Sequence, residues 1–357
     1  MHNAYELNIH DWMSLLSKWQ ASQHHAETLF KSSFQTVDIQ KNISSPISPK
    51  VMTKISETIS YALPKIISSA TARDGTTCKY LLQLEDGEII ESVLLKFFKR
   101  YTVCLSTQVG CGMGCKFCYT GTLGLKRHLK AYEIIGQYVC LAKQLQIDIP
   151  HALAPQVVFM GEGEPLHNFE CIQKSLEILT HPKSFNLGPQ NITLSTVGLI
   201  EYLEKLNLLP KINLAFSLHA PNQKLREVII PSAKKNPLPQ IMLNLDNLYS
   251  LGRKFITFEY TLIDQIKDQD CHIDELIELL KPRKHYALLN LIPLNPFKGL
   301  AWKKTPPERI EIIRKKLIAN NIRTFQRKTQ GSDILAACGQ LKPTSYAAGE
   351  VGNQRIQ

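Results

Sequence analysis

The chain has 357 residues, 44% of them hydrophobic, and a formal net charge of +11 from 42 Lys and Arg against 31 Asp and Glu. That length suits one large domain with a smaller companion, and with no 18-residue apolar run and no charged-then-apolar leader it excludes a spanning helix and export; a soluble, cytoplasmic protein with no membrane association is expected. Nine cysteines are too few for a disulfide scaffold here, which leaves metal-binding or catalytic roles for those that cluster.

Residues 1–70 read as a small helical domain. Trp12, Leu15, Leu16 and Trp19 recur at helical spacing, which predicts core packing, and Ser44-Ser45-Pro46-Ile47-Ser48-Pro49 breaks the helical pattern. Across 71–100 the character changes. Lys79-Tyr80-Leu81-Leu82-Gln83-Leu84 and Ile89-Ile90-Glu91-Ser92-Val93-Leu94-Leu95 are β-rich and joined by Glu85-Asp86-Gly87, which predicts a short β-hairpin linker.

From 101 onward β-rich and helix-like segments alternate. Candidate strands are 101–107, 156–160, 191–197, 211–219, 254–263, 285–294 and 322–328. Helix-like stretches lie near 131–146, 169–180, 198–207, 238–251, 272–281 and 306–320. Strict alternation predicts an α/β fold with a parallel sheet and crossover helices. Six units predict a partial (β/α)6 TIM-like barrel over 101–342, with 343–357 as a tail.

In such barrels the chemistry lies on loops after the strands' C-terminal ends. Here the first strand is followed by a cysteine loop, and the second by Met160-Gly161-Glu162-Gly163-Glu164-Pro165. The third ends at Ser195-Thr196, the fourth at Ser217-Leu218-His219 and the sixth at Leu294-Asn295-Pro296. One polar strand end means little, and Gly-x-Gly alone is an ordinary turn. Five polar ends in register predict a single rimmed site.

The cysteine loop is Cys111-Gly112-Met113-Gly114-Cys115-Lys116-Phe117-Cys118. Its glycines let the backbone wrap closely around an inorganic object. Three thiolates do not close a tetrahedral structural site, nor the usual four-cysteine ligation of an iron–sulfur cluster. A cluster held by three leaves one iron open to a substrate; zinc or unrelated cysteines are the alternatives. Two more thiols stand apart. Cys104 lies on the strand before the loop, and Cys338 lies in the small-residue run Ala336-Ala337-Cys338-Gly339-Gln340, which leaves it accessible and mobile. A lone cysteine is otherwise a small buried hydrophobe.

Basic residues recur in groups such as Lys234-Lys235, Lys303-Lys304, Arg314-Lys315-Lys316 and Arg327-Lys328. The excess predicts attraction to polyanions, nucleic acid first, with a merely solvated basic surface as the alternative.

The spacing C-x3-C-x2-C resembles the signature of radical S-adenosylmethionine enzymes. That resemblance implies a 4Fe-4S cluster on Cys111, Cys115 and Cys118, with S-adenosylmethionine contacted by Gly163, Glu164, Ser195, Ser217, Leu218, His219 and Asn295. Residues 72–342 resemble more narrowly the RlmN/Cfr family of RNA methyltransferases. The pieces include Asp74-Gly75-Thr76, Ile90-Glu91-Ser92-Val93, Ser106-Thr107-Gln108-Val109-Gly110-Cys111, Phe216-Ser217-Leu218-His219 and Ala336-Ala337-Cys338-Gly339-Gln340-Leu341.

The resemblance implies methylation of an amidine carbon of adenosine in 23S ribosomal RNA, with transfer RNA as a further substrate, through an S-methylcysteine at Cys338. Glu91 matches the family's proton acceptor, and Cys104 would form a transient disulfide with Cys338. Pro165 favours C2 over C8, the Cfr-like outcome. An electron donor such as flavodoxin or ferredoxin is implied, the helical domain 1–70 is expected to contact RNA, and a monomer is expected. Two departures, Glu162 for the family's usual Met and Tyr119 for a small residue, are expected to reshape the pocket; a catalytically inactive iron–sulfur RNA-binding relative is the alternative they suggest.

Overall fold

The computed structural model describes residues 1–35, 47–97, 100–149, 151–253 and 255–342. The expected tail, 343–357, and residues 44–46 of the Ser/Pro-rich break lie outside these.

Strand β1 (His2–Asn3) opens the N-terminal domain, followed by helices α1 (Ile9–Lys18), α2 (His25–Gln35) and α3 (Pro49–Thr58) and by strand β2 (Ile59–Ser60), which pairs with β1. Helix α1 starts where it does because Asn8 and Asp11 cap each other reciprocally. Its apolar face then buries Trp12 and Leu16 against Leu29, Phe30, Val51 and Ile55, with Leu15 and Trp19 at the edge. The packing role expected of this stripe is what the structure shows.

Next come β3 (Lys65–Thr71), β4 (Thr77–Gln83) and β5 (Ile89–Phe97), an antiparallel meander. Strand β5 pairs antiparallel with β6 (Arg100–Cys104), so the expected hairpin is three-stranded and continuous with the main sheet. From there the chain runs through β7 (Gln108–Cys111), α4 (Tyr119–Thr122), β8 (Gly124–His128), α5 (Ala131–Asp148), β9 (Gln156–Phe159) and α6 (Phe169–Thr180). It continues through β10 (Ile192–Thr196), α7 (Ile200–Leu203), β11 (Asn213–Ser217), α8 (Gln223–Ile229) and α9 (Leu238–Ser250). The last elements are β12 (Ile256–Leu262), α10 (Asp270–Leu280), β13 (Ala287–Pro293), α11 (Pro307–Ala319) and β14 (Thr324–Gln326).

Strands β6, β9, β10, β11, β12, β13 and β14 lie side by side in sequence order, all parallel. Each crossover helix turns an apolar stripe to the sheet. In α6, Ile172, Leu176 and Leu179 are fully buried, each contributing about 1.5–3 kcal/mol. Strands β3 and β14 remain the two edges of the ten-stranded sheet, so the (β/α)6 barrel is partial, as expected.

Several strands are shorter than expected by one or two residues at each end, β14 among them, and two elements differ more. The strand expected over 101–107 stops at Cys104, because the Gln137 side chain takes both the Ser106 N–H and its carbonyl and turns the chain towards β7. The helix expected over 198–207 is the single turn α7 followed by a 3-10 turn, Glu204–Leu208. Among the described residues no helix is long and apolar enough to cross a membrane.

Candidate active site

Strands β7 and β8 form a separate antiparallel ribbon, Gln108 opposite His128 and Cys111 opposite Gly124, which presents the cysteine loop. The loop is anchored where the Lys116 N–H donates to the Ile229 carbonyl at 3.0 Å. Cys111, Cys115 and Cys118 all face one cleft with an open volume of about 150 Å³ at the C-terminal ends of the strands. Burial pushes the Cys111 thiol up to about 12 and raises the other two, so metal must displace their protons.

Among the described residues no three His, Cys, Asp or Glu side chains converge as a single ion requires. An iron–sulfur cluster is wider than one ion, so three thiols around one cleft suit a cluster where they do not suit zinc.

The loops beyond β9, β10, β11 and β13 form the rest of the rim. Gly163 has φ +102° and lies so close to Thr107 and Gln108 that a Cβ would stand 2.7 Å from both side chains. Glu164 is buried in a hydrogen-bond cage: its carboxylate accepts from the Thr196 hydroxyl at 2.6 Å, the Leu166 N–H at 3.0 Å and the Val197 N–H at 2.9 Å. Burial outweighs these bonds and pushes it up to about 7. It thereby ties the β9 loop to the end of β10 as well as lining the cleft.

Ser195 and Ser217 line the cleft. His219, at φ +54°, accepts the Thr261 N–H on Nδ1 at 3.1 Å. Burial, then the cations Lys267 and Arg226, hold its pKa well below the usual imidazole range. It is therefore a neutral ring with its proton on Nε2. Leu218 behaves differently. Its side chain is wholly buried outside the cleft lining, and its carbonyl accepts from Arg226 Nε at 3.1 Å. Asn295 lines the cleft, but its Nδ2 donates to the Cys338 carbonyl at 3.1 Å.

A second, smaller cavity of about 40 Å³ adjoins the cleft, and Cys104, Cys338, Val93, Leu95, Met160 and Arg327 line it. Cys338 faces both spaces, the cleft of the three thiols and the cavity of Cys104. Burial, then the neighbouring Cys338, pushes the Cys104 thiol up to about 12. Glu91 sits on β5 two residues before Val93, hence on the same face, and forms a buried ion pair with Lys79 at 3.0 Å. Burial raises its pKa against the lowering effect of Lys79.

The two departures do not enter the cleft. Glu162 is turned away from it and accepts the Glu91 N–H at 2.7 Å. Tyr119 stacks on Phe297 with ring centroids 4.8 Å apart. Neither side chain is among the walls of the cleft.

Sequence reasoning missed Glu259, Thr261, Arg327 and Lys79. The first two had a signal: Thr257, Glu259 and Thr261 alternate with Phe258, Tyr260 and Leu262, a polar inward face on β12. Arg327 was absorbed into a basic surface pair, yet it is a half-buried wall of both cavities, its charge favoured first by Cys338 and then by Glu259.

A family model described as the Radical SAM superfamily matches residues 105–280. A relative from Dictyoglomus turgidum, described as a probable dual-specificity RNA methyltransferase RlmN, is 37% identical over 345 residues, 96% of this chain and 97% of its own. Another from Lawsonia intracellularis, described as a dual-specificity RNA methyltransferase RlmN, is 40% identical over 316 residues, 87% of each. The crystal structure of a radical SAM methyltransferase from Sphaerobacter thermophilus matches with a TM-score of 0.88 at 32% identity, covering 96% of this chain and 99% of that one. Three thiols on a strand-end loop, a parallel sheet that stays open and full-length likeness agree, and the chain belongs to the RlmN family of radical S-adenosylmethionine RNA methyltransferases.

Proposed function

We propose that the protein methylates C2 of an adenosine in 23S ribosomal RNA, and in transfer RNA, by way of an S-methylcysteine at Cys338. The carrying observation is that Cys338 faces both the three-thiol cleft and the Cys104 cavity. A thiol in that place can receive a methyl group on one side and exchange with a second thiol on the other.

The amidine carbon of adenine is electrophilic, so it cannot attack a methyl cation equivalent, and a radical route is required. When bound, the 4Fe-4S cluster and S-adenosylmethionine supply the methyl group and a 5′-deoxyadenosyl radical. Cys338 would carry the methyl carbon, give up one of its hydrogens to that radical and deliver the resulting methylene to the adenine, with the odd electron of the adduct returning to the bound cluster. Glu91, on the face of β5 that lines the Cys104 cavity, takes the ring proton. The Cys104 thiolate then attacks the Cys338 sulfur; the disulfide forms as the carbon–sulfur bond breaks, and the released carbon takes a proton to become the methyl group of the freed base. A low-potential donor such as flavodoxin or ferredoxin restores the thiols and feeds the cluster.

Gly163, Glu164, Ser195, Ser217, His219 and Asn295 are the cofactor's polar contacts, with Leu218 acting through its backbone alone. Pro165 after Glu164 supports C2 rather than C8. Exposed Lys298, Lys303 and Lys304, on the loop after β13 beside Asn295, and the helical domain 1–70 hold the RNA by its backbone while the target base is splayed into the site.

The test is anaerobic incubation of the cluster-loaded protein with reductant, S-adenosylmethionine and ribosomal RNA fragments. Equal release of 5′-deoxyadenosine and 2-methyladenosine is expected. Release of neither, from protein with full iron content, would overturn the proposal.

A further inference from the structure

Lys79 on β4 and Glu91 on β5 are diagonal neighbours, since Leu81 pairs with Glu91 and Lys79 with Val93. Their side chains, 2% and 0% exposed, form an ion pair at 3.0 Å. Buried pairs of this kind add little net stability over apolar residues of similar size. What distinguishes this pair is what else each partner holds. Lys79 Nζ also donates to the Leu335 carbonyl at 3.3 Å, and Glu91 Oε2 accepts the Lys342 N–H at 2.8 Å.

Leu335 and Lys342 bracket Cys338, three residues before it and four after. One ion pair thus grips both ends of the segment that carries the mobile thiol. Leu335 has φ +53°, a left-handed conformation that costs a residue with a Cβ of order 1 kcal/mol and persists only under restraint. Between these anchors the segment is tied by neutral bonds: Asn295 Nδ2 to the Cys338 carbonyl, the Tyr119 N–H to the Gly339 carbonyl and Gln340 Nε2 to the Pro296 carbonyl.

We propose that the Lys79–Glu91 ion pair is a latch on segment 335–342, opened when Glu91 takes up a proton. The idea rests on the reading of Glu91 as the proton acceptor and extends it. When the ring proton moves to Glu91, its C–H electron pair stays with the adenine, an O–H bond forms and the carboxylate loses its charge. Lys79 then lacks the counter-charge that orients it on the Leu335 carbonyl, and Glu91 becomes a weaker acceptor for the Lys342 N–H.

The titratable groups facing Glu91 are Lys79 from β4 and Glu162 from the loop after β9. Burial pushes Glu162 up to about 8, so near neutral pH it is an uncharged neighbour and Lys79 is the counter-charge that Glu91 has. Release of the strained segment lets Cys338 complete its approach to Cys104, so proton removal precedes disulfide formation. Lys79 is a positioning residue in this scheme.

Hydrogen exchange of the full-length, cluster-loaded protein, read by mass spectrometry on peptides covering 335–342, tests the latch. Corrected for intrinsic rates, protection of this segment should fall about tenfold as pH drops through the Glu91 titration, the expected loss for one charge-assisted hydrogen bond. Glu91→Gln and Lys79→Met should exchange fast at every pH, and Lys79→Arg should restore slow exchange. Peptides from α5 and α6 should not change in any variant.

A flat native pH profile would overturn the latch, as would slow exchange in both Glu91→Gln and Lys79→Met. Should Lys79→Met loosen α5 and α6 as well, the native profile and Glu91→Gln decide. The proton-acceptor reading is judged separately. Full methylation by Glu91→Gln sinks that reading and leaves the latch to the exchange data.

Discussion

A Cβ placed on Gly121 would stand 2.8 Å from the Cys115 carbonyl oxygen and 2.9 Å from its nitrogen. Real Cβ atoms do not approach backbone so closely, so α4 can pack under the cysteine loop only with a glycine there. Gly121→Ala should push Cys115 away from its two partner thiols. Iron content after anaerobic loading is expected to fall below half of native while far-UV circular dichroism is unchanged. Full iron content would show that the loop yields instead.

Cys338→Ala removes the proposed methyl carrier without touching Cys111, Cys115 or Cys118. Methylation should vanish while the cluster's visible absorbance stays native. A variant that still methylated adenosine at the native rate would sink the S-methylcysteine route.

Cys104→Ala leaves Cys338 in place but removes the thiol that lines the small cavity with it. The adduct between Cys338 and RNA then has no partner to release it. A covalent protein–RNA band should accumulate on a denaturing gel, sensitive to nuclease and dependent on S-adenosylmethionine. Clean turnover without such a band would remove Cys104 from the exchange.

Burial pushes Glu162 up to about 8 and Glu164 up to about 7, whereas a carboxyl in the unfolded chain titrates near ~4.3. Between those values the folded protein holds protons that the unfolded chain has lost. Its stability therefore falls as pH rises from about 5 to 8 and levels off above. Glu162 Oε2 has no hydrogen-bond partner among the described residues, so ionising it is costly. Glu162→Gln keeps an oxygen for the Glu91 N–H and removes the charge. By urea unfolding it should match native near pH 5 and exceed it at pH 8–9 by about 1–3 kcal/mol. Curves that stay parallel across pH would show that Glu162 does not titrate in this window.

Lys298, Lys303 and Lys304 are exposed on the loop after β13. If they meet phosphates, replacing all three by Ala should weaken RNA binding and lower the salt-dependence slope by roughly 2–3 units. Cofactor cleavage without RNA should be untouched. An unchanged slope would place the RNA elsewhere on the rim.

The parallel strands were legible because β9 and β13 carry apolar runs bounded by turns, while β10 and β12 alternate apolar residues with polar ones. Strand β3 was not legible. Lys65-Ile66-Ile67-Ser68 lies exposed at the sheet edge, and an edge strand with no covered face shows no alternation. The ribbon β7–β8 was hidden for a related reason: Gly124-Leu125-Lys126-Arg127-His128 is held by backbone pairing and by Arg127 to Glu133 and Asp86, not by a core.

The rim residues at strand ends were legible because position along a strand can be counted in sequence. Lys79 was not legible as a site residue: the hairpin was, but its register, which sets Lys79 diagonally beside Glu91 on the next strand, is fixed only in the fold. The likeness of the Ala337-Cys338-Gly339 run to a known family pointed to Cys338 as the proposed methyl carrier; only the fold shows what holds it.

The bond from the Lys342 N–H to Glu91 spans 251 positions of chain. During synthesis, Glu91 and Cys104 emerge first, the barrel's helices follow, and segment 335–342 comes after them. The sheet and the cysteine loop can therefore form before Cys338 is made, and Cys338 closes one wall of the cleft last. The two outlying thiols can therefore meet only after the strands and helices between them have been made.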